Sequence, residues 1–205
     1  MTDNKQFIAL TPIGAYYAVN SREDSSLHRL LRYLLTLPTT PQLDEKTLQE
    51  CSKYTQIIDI LALVKQAIKS RLMMTSSQAT SISETTLETV LPKLFSELAE
   101  DGKFLLADDQ GLCLGQIGFD INASEQLAAL SADIAIVQQR HETALKDLNE
   151  FGNIWGMINP INKHQVSFWP IFIGNHRFVL VLAQKMSLNQ PAFTRLIQIL
   201  SIRYA

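Results

Sequence analysis

The chain has 205 residues, which is enough for one large domain or two small ones. Hydrophobic residues make up 46% and charged residues 19% of it, a composition that is typical of a globular protein and argues against disorder. The formal net charge of -2 gives the chain no overall attraction to nucleic acid or to an acidic membrane.

The N-terminal part, residues 1–74, is predicted to be a small, mainly helical domain. Apolar residues recur there at three- and four-residue intervals, as in Leu27, Leu30, Leu31 and Leu34, which lie on one helical face. The predicted elements are, in order, a strand at 5–10, a turn at 11–14, and three helices capped by Ser25 or Ser26, by Asp44 and by Thr55.

Residues 75–83 are polar, rich in Ser and Thr and without hydrophobic periodicity, so they are predicted to be a linker. A second domain is predicted at residues 84–205, where a helix, two strands, a long helix, three strands and a final helix follow one another. This order predicts an α+β fold with a five-stranded antiparallel sheet between helices. Its elements are a helix ending at Gly102, strands at 103–107 and 112–117, a helix at 124–148, strands at 153–158, 165–173 and 177–183, and a helix capped by Asn189.

The long helix has more apolar surface than one sheet face needs. One sector, formed by Leu127, Leu130, Ile134, Val137, Leu145 and Leu148, is predicted to cover the sheet. A second stripe of Ala128, Ala132 and Ala135, with Ile136 further round, is predicted to contact a second chain. Trp155 is a candidate binding anchor if it is exposed. Two alternatives stay open: another part of the same chain covers the alanines, and Trp155 packs in the core.

No chemical motif stands out from the sequence. The histidines His28, His141, His164 and His176 lack metal-ligand spacing, and Gly111–Gly118 lacks the Lys-Ser/Thr ending of a phosphate loop. Cys51 and Cys113 are predicted to be reduced structural thiols, which favours the cytoplasm. No signal peptide or spanning segment is visible. We therefore expect no catalytic residue, metal or cofactor, and no enzyme.

Residues 102–205 resemble the roadblock domain of dynein light chains and of bacterial regulators of Ras-like GTPases. The matching stretches are 104–112, which resembles the first hairpin of the family, 125–132, which resembles the start of its long helix, and 174–181, which resembles its last hairpin. The resemblance implies a roadblock/profilin-like fold and a homodimer in which the long helices pack together and the sheets join edge to edge. It also implies binding of a small GTPase, or a place in a larger scaffold.

The N-terminal half is more weakly similar to a winged-helix domain, through its start at residues 10–14, its three helices and a return strand near 71–75. Residues 56–70 would then be the recognition helix, but they are mostly apolar and favour a protein partner over base edges. Two functions are therefore predicted: a non-catalytic dimeric regulator or scaffold for a small GTPase or another protein, or a DNA-binding transcriptional regulator. In the second, the candidate phosphate contacts are Arg29, Arg32, Lys65 and Lys69.

Overall fold

The computed structural model describes residues 5–55, 59–82, 87–99, 102–141, 143–145, 154–159, 161, 165–183 and 188–205. The chain divides into two units. The first unit comprises Met1–Thr85 together with Asn189–Ala205, and the second unit is Thr86–Leu188.

Apart from an additional helix after the first strand, the helices and strands follow one another in the predicted order. The five-stranded sheet lies in the second unit. In chain order they are β1 (Phe7–Leu10), α1 (Pro12–Val19), α2 (Ser26–Thr36), α3 (Glu45–Thr55), α4 (Ile60–Lys69), β2 (Met73–Ser76), α5 (Leu87–Ala99), β3 (Lys103–Ala107), β4 (Cys113–Ile117), α6 (Ile121–Arg140), β5 (Trp155–Ile158), β6 (Gln165–Ile173), β7 (His176–Ala183) and α7 (Pro191–Tyr204). Strands β1 and β2 pair with each other, and the five-stranded sheet has the order β4-β3-β7-β6-β5.

Residues 11–14 begin a helix, and the prediction of a turn there is wrong. The Thr11 hydroxyl accepts a hydrogen bond from the Gly14 amide at 3.0 Å, and Pro12 occupies the first helical position, where its missing N–H costs nothing. The same hydroxyl donates to the Arg71 carbonyl at 2.7 Å. A side chain on Gly14 would collide with the Leu72 carbonyl, so this glycine permits α1 to lie directly against the chain before β2.

The caps of the next helices are partly as predicted. Asp44 caps α3, whereas Thr55 does not cap α4: it lies inside α3 and donates to the Cys51 carbonyl at 2.8 Å. Asp59 caps α4 instead. Residues 56–58, which the sequence assigns to the same helix as α4, lie outside the described residues.

Much of the predicted linker at 75–83 forms backbone hydrogen bonds with other segments of the first unit. Its first two residues end β2. The Thr40 amide donates to the Thr80 carbonyl at 2.9 Å, and the Ile82 amide donates to the Pro38 carbonyl at 2.9 Å. Polar composition suggested a free linker, but these backbone groups are satisfied by partners distant in sequence. The last residue of the predicted linker lies outside the described residues.

Helix α7 packs within the first unit, against α1 and α2, although the sequence places it in the C-terminal domain. The rings of Phe193 and Tyr16 lie 6.4 Å apart, and the Gln198 side-chain amide donates to the Leu37 carbonyl at 2.7 Å. The apolar stripe of α7 is buried as predicted. Such a stripe shows that a helix needs a core but not which core it joins.

The second unit has the predicted α+β fold, with helices on both faces of an antiparallel sheet. Successive strand residues point to opposite faces, and Phe104 packs against Phe95 of α5 at a ring distance of 4.6 Å. Its neighbour Leu105 belongs to the cluster that Ala128 of α6 joins on the other face. The tight turn between β6 and β7 is also confirmed, with Gly174 at a positive φ of 55°.

Helix α6 starts one turn earlier than predicted. Asp120 caps it by accepting a hydrogen bond from the Ala123 amide at 2.8 Å, so Ser124 lies inside the first turn. The described helix ends at Arg140. The predicted end of this helix, residues 146–148, lies outside the described residues.

Candidate protein-interaction surface

The small residues of α6 face the sheet of their own chain. Ser124, Ala128, Ser131 and Ala135 are its buried residues, at intervals of four, three and four positions along one face. Ala128 is completely buried among Leu105, Phe168, Val179 and Val181. Ala128 and Ala135 are therefore covered by their own chain, which is the alternative that the sequence left open, and their contact with a second chain stays a prediction.

The physical reason lies in the sheet below. Leu105, Phe168, Val179 and Val181, with Ala107, form the sheet face under α6, and the small Ser and Ala side chains let the helix lie close to this face at close-packed density. The stripe of Ser and Ala was visible in the sequence. The spacing of Ser124 and Ser131 places both serines on the same helical face as Ala128 and Ala135.

The large apolar residues of α6 lie to one side of this buried stripe. Leu127, Leu130, Ile134 and Val137 follow one another at intervals of three, four and three, and we call these four residues the β5-side flank. The first three are only half-buried and pack along the edge of the core, while Val137 is 41% exposed. The sequence predicts that they cover the sheet, and the first three do pack against its core cluster, but they stay partly exposed.

The β5-side flank lies next to an edge of the sheet. Ile134 and Trp155 line the same cleft, together with Phe168 of β6. Among the strands that the structure describes, β5 pairs with β6 alone. Met157 lies two residues after Trp155 and therefore on the same face, and it is 48% exposed. Sequence reasoning missed Met157, although an apolar side chain on a short edge strand is a recognisable signal.

Trp155 is half-buried, between the two alternatives that the sequence left open. Part of its ring packs against the core cluster, and the rest remains open to solvent. The cleft beside it holds about 10 Å³, room for roughly one water molecule and not for a small-molecule ligand. Trp155 can therefore contribute to a protein contact, with its ring already held in place.

On the other side of the buried stripe, α6 meets the turn between β3 and β4. A side chain on Gly111 would come within 3.1 Å of the Ala129 Cα atom and 3.2 Å of the Ala132 Cβ atom, so the turn lies directly on the helix. Leu112 in this turn is 59% exposed, and Ile136, one helical turn beyond Ala132, is 55% exposed. We call Ala129, Ala132 and Ile136 the hairpin-side flank. The predicted interface residues Ala132 and Ile136 thus belong to this side and Trp155 to the other.

The described part of the chain contains no group of three or more His, Cys, Asp or Glu side chains that could hold a metal ion. Burial raises the pKa of the Cys51 thiol to about 11. Burial, with a smaller effect from the Glu125 carboxylate, also raises the pKa of Cys113. His164 lies outside the described residues.

His28 is a core residue of the first unit. Its ring is stacked on Tyr17 at 4.6 Å, and its Nδ1 atom lies 2.8 Å from the Ser25 hydroxyl. Burial, assisted by the nearby Arg32 cation, lowers the pKa of His28, although the Glu23 carboxylate opposes this effect. These contacts describe a neutral, packed imidazole.

Two of the four candidate nucleic-acid contacts, Arg29 and Arg32, bind groups of their own chain. Arg32 donates to the Ala18 carbonyl at 2.8 Å and to the Ser21 carbonyl at 2.7 Å, so its guanidinium closes the end of α1. Arg29 forms an ion pair with Asp24 at 3.1 Å. Lys65 and Lys69 are exposed one turn apart on α4. Two of the four cations thus have internal partners, and a role in DNA binding for Lys65 and Lys69 stays a prediction.

Each helix in the described residues is too short or too polar to span a bilayer.

Two solved structures are similar to this chain. One is a Roadblock/LC7 domain from Streptomyces avermitilis, with 13% identity and a TM-score of 0.36 over 54% of this chain and 92% of that one. The other is MglB from Myxococcus xanthus, with 21% identity and a TM-score of 0.34 over 60% of this chain and 93% of that one. No protein-family model matches the sequence, and no curated protein matches it. At these identities the likeness concerns the fold alone.

Proposed function

We propose that the chain is a non-catalytic, homodimeric regulator or scaffold that binds a small Ras-like GTPase or another protein partner. The observation that carries this proposal is the position of the β5-side flank beside an edge strand. Large, partly exposed apolar side chains beside a strand that pairs on one side only, among the described strands, are typical of an association surface.

A second copy of the chain is the natural occupant of this surface. In a two-fold dimer, β5 meets its symmetry mate antiparallel, so the open hydrogen-bonding groups of both strands are satisfied by one contact. The same two-fold rotation brings the two β5-side flanks together and removes the side chains of Val137 and Met157 from water. One surface thus meets both needs of the edge, for hydrogen bonds and for apolar burial.

The GTPase is proposed as partner from the sequence resemblance of residues 102–205. A regulator without a catalytic group of its own can act by ordering the catalytic residues of the GTPase, without an arginine finger. A scaffold would bind without changing the rate of GTP hydrolysis. Both roles need an exposed protein-binding surface and no reactive centre on this chain.

Two measurements test the proposal. Sedimentation analysis of the purified chain is expected to show a dimer. Purified Ras-like GTPases, loaded with GDP or with a non-hydrolysable GTP analogue, are then tested for binding by titration. A nucleotide-dependent affinity is expected, and equal failure of both forms to bind would contradict the GTPase assignment. A monomer at all concentrations would contradict the dimer.

A further inference from the structure

We propose that Lys65, Lys69 and Arg71 of the first unit bind the phosphate backbone of a nucleic acid without reading its base sequence. We call these three residues the α4 cation cluster, and all three are exposed. This binding goes beyond the protein-binding role above, which is assigned to the β5-side flank of the second unit.

The two lysines of the cluster point away from the core of the first unit. Ile60, Val64 and Ala67 are the buried residues of α4. Because successive residues of a helix are rotated by about 100°, Lys65 and Lys69 lie on the face opposite these three residues. One helical turn separates the two lysines, so their Cα atoms are about 6 Å apart along the helix axis. Two cations therefore project into solvent side by side.

Arg71 follows the end of α4 in a backbone conformation that favours glycine. Its φ is 58°, in the left-handed region. The Arg71 amide donates to the Ile68 carbonyl at 3.0 Å, and the Leu72 amide donates to the Ala67 carbonyl at 2.9 Å. These two hydrogen bonds form a Schellman motif with Arg71 at its left-handed position. Glycine is preferred there because a side chain raises the energy of a left-handed backbone.

Stabilisation of α4 does not account for an arginine at this position. A cation near the end of a helix interacts favourably with the helix dipole, but this effect is smaller than the cost of a left-handed residue with a side chain. Lys69 already supplies a cation in the last turn. Among the described residues, no carboxylate forms an ion pair with Arg71. The exposed guanidinium is therefore available to an anion outside the chain.

The segments around the α4 cation cluster contain few carboxylates. No Asp or Glu occurs in residues 60–83, which include α4 and β2, or in residues 5–19, which include β1 and α1. Helix α3, which also packs against α4, contains two Glu and two Lys and is neutral overall. Asp59 caps the start of α4, at the end remote from Arg71. The local charge is positive, although the whole chain has a net charge of -2.

The other side chains of the exposed face favour a nucleic acid as the occupant. Leu61, one turn before Lys65, is more than half buried, so a lipid bilayer would gain little apolar contact. Ala62 and Gln66 are exposed beside the lysines and offer a single amide, too few polar groups to read base edges. A nucleic acid presents its phosphates in a regular row, which suits cations that follow one another along a helix.

The test uses the full chain with a short labelled DNA duplex and an RNA duplex of the same sequence. Fluorescence anisotropy over a salt series measures the Kd of each duplex. Three phosphate contacts predict that log Kd rises with the logarithm of the salt concentration with a slope of about 2.7. Binding of either duplex, with equal affinity for unrelated sequences, supports the proposal. Failure of both duplexes to bind at low salt, or a clear preference for one base sequence, would overturn it.

Single variants assign the binding to the cluster. Lys65→Ala, Lys69→Ala and Arg71→Gly each remove one contact, so each is expected to lower the slope by about 0.9 and to raise the Kd at about 50 mM salt by about tenfold. Lys93→Ala removes an exposed lysine from α5 in the second unit and is expected to change neither quantity. Unchanged binding in all three cluster variants would place the site elsewhere and contradict the proposal.

Arg71→Gly separates a role in binding from a role in folding. Glycine relieves the left-handed backbone, so the thermal midpoint of this variant is expected to stay the same or to rise while its affinity falls. A lower midpoint would show that the arginine serves the fold, against the role assigned to it.

Two other anionic partners are measured with the same variants, namely polyglutamate and vesicles that contain phosphatidylserine. We expect neither to compete with the duplex at equal concentrations of negative charge. If either binds through the α4 cation cluster and neither duplex does, the partner is an acidic protein or a membrane and the proposal is wrong.

Discussion

Replacing Met157 by serine is expected to weaken self-association of the chain. Met157 lies on the edge strand β5, and 48% of its surface is exposed. Full burial of a Met side chain stabilises by about 1.5–3 kcal/mol, so covering the exposed half contributes about 0.7–1.5 kcal/mol. A two-fold dimer contains the contact twice, which gives a total of about 1.5–3 kcal/mol and an increase in the dimer Kd of about 10- to 150-fold.

Sedimentation velocity over a dilution series measures this change directly. The matched control is Ile13→Ser, which removes a side chain of similar exposure, 51%, from α1 in the first unit and is expected to leave the Kd unaltered. Thermal melting of both variants excludes a loss of folding as the cause. If Met157→Ser dissociates at the same concentration as the unchanged chain, self-association does not bury Met157 on β5 and the reasoning is refuted.

Three further predictions concern the described packing. Gly14→Ala is expected to destabilise the first unit by about 1–3 kcal/mol and to lower the thermal midpoint, because its Cβ atom meets the Leu72 carbonyl. Gly156→Ala, whose Cβ atom would make only an ordinary contact of 3.9 Å with the Val166 carbonyl, is the control, and equal effects would contradict the account. Cys51, with its pKa raised to about 11, is expected to resist alkylation at pH 8 in the folded chain, as read by mass spectrometry; rapid labelling would count against its burial. Because the pKa of His28 is lowered below the unfolded value of 6.5, its contribution to stability is present above that pH and is lost as pH falls through the folded pKa. The thermal midpoint should therefore fall between pH 7 and pH 5, less so in His28→Gln, and equal falls in both chains would refute it.

The strands of the second unit could be predicted because their signals are local. Gly174 and Asn175 form a two-residue turn, and the run 178–182 is apolar on both faces, as expected for a strand covered on both sides. The chain pairs β6 with β7 across this turn. Alternation and turn chemistry act over a few residues, so they are readable without knowledge of the rest of the fold.

The orientation of α6 could not be predicted from its own residues. Leu130 and Ala128 both lie on apolar sectors, and hydrophobicity alone gives the larger sector to the sheet. The deciding quantity is the volume left above Phe168 and Val181, which are distant in sequence. The packing of α7 in the first unit could not be predicted either, because its contact with α1 joins residues near the two ends of the chain.

The orientation of α6 also explains where a second copy of the chain can bind. Since Ser124, Ala128, Ser131 and Ala135 occupy the sheet, the large side chains of the β5-side flank are displaced to one side of this contact. On that side they adjoin β5, which pairs with β6 alone among the described strands, so another copy can satisfy hydrogen bonds and apolar burial together.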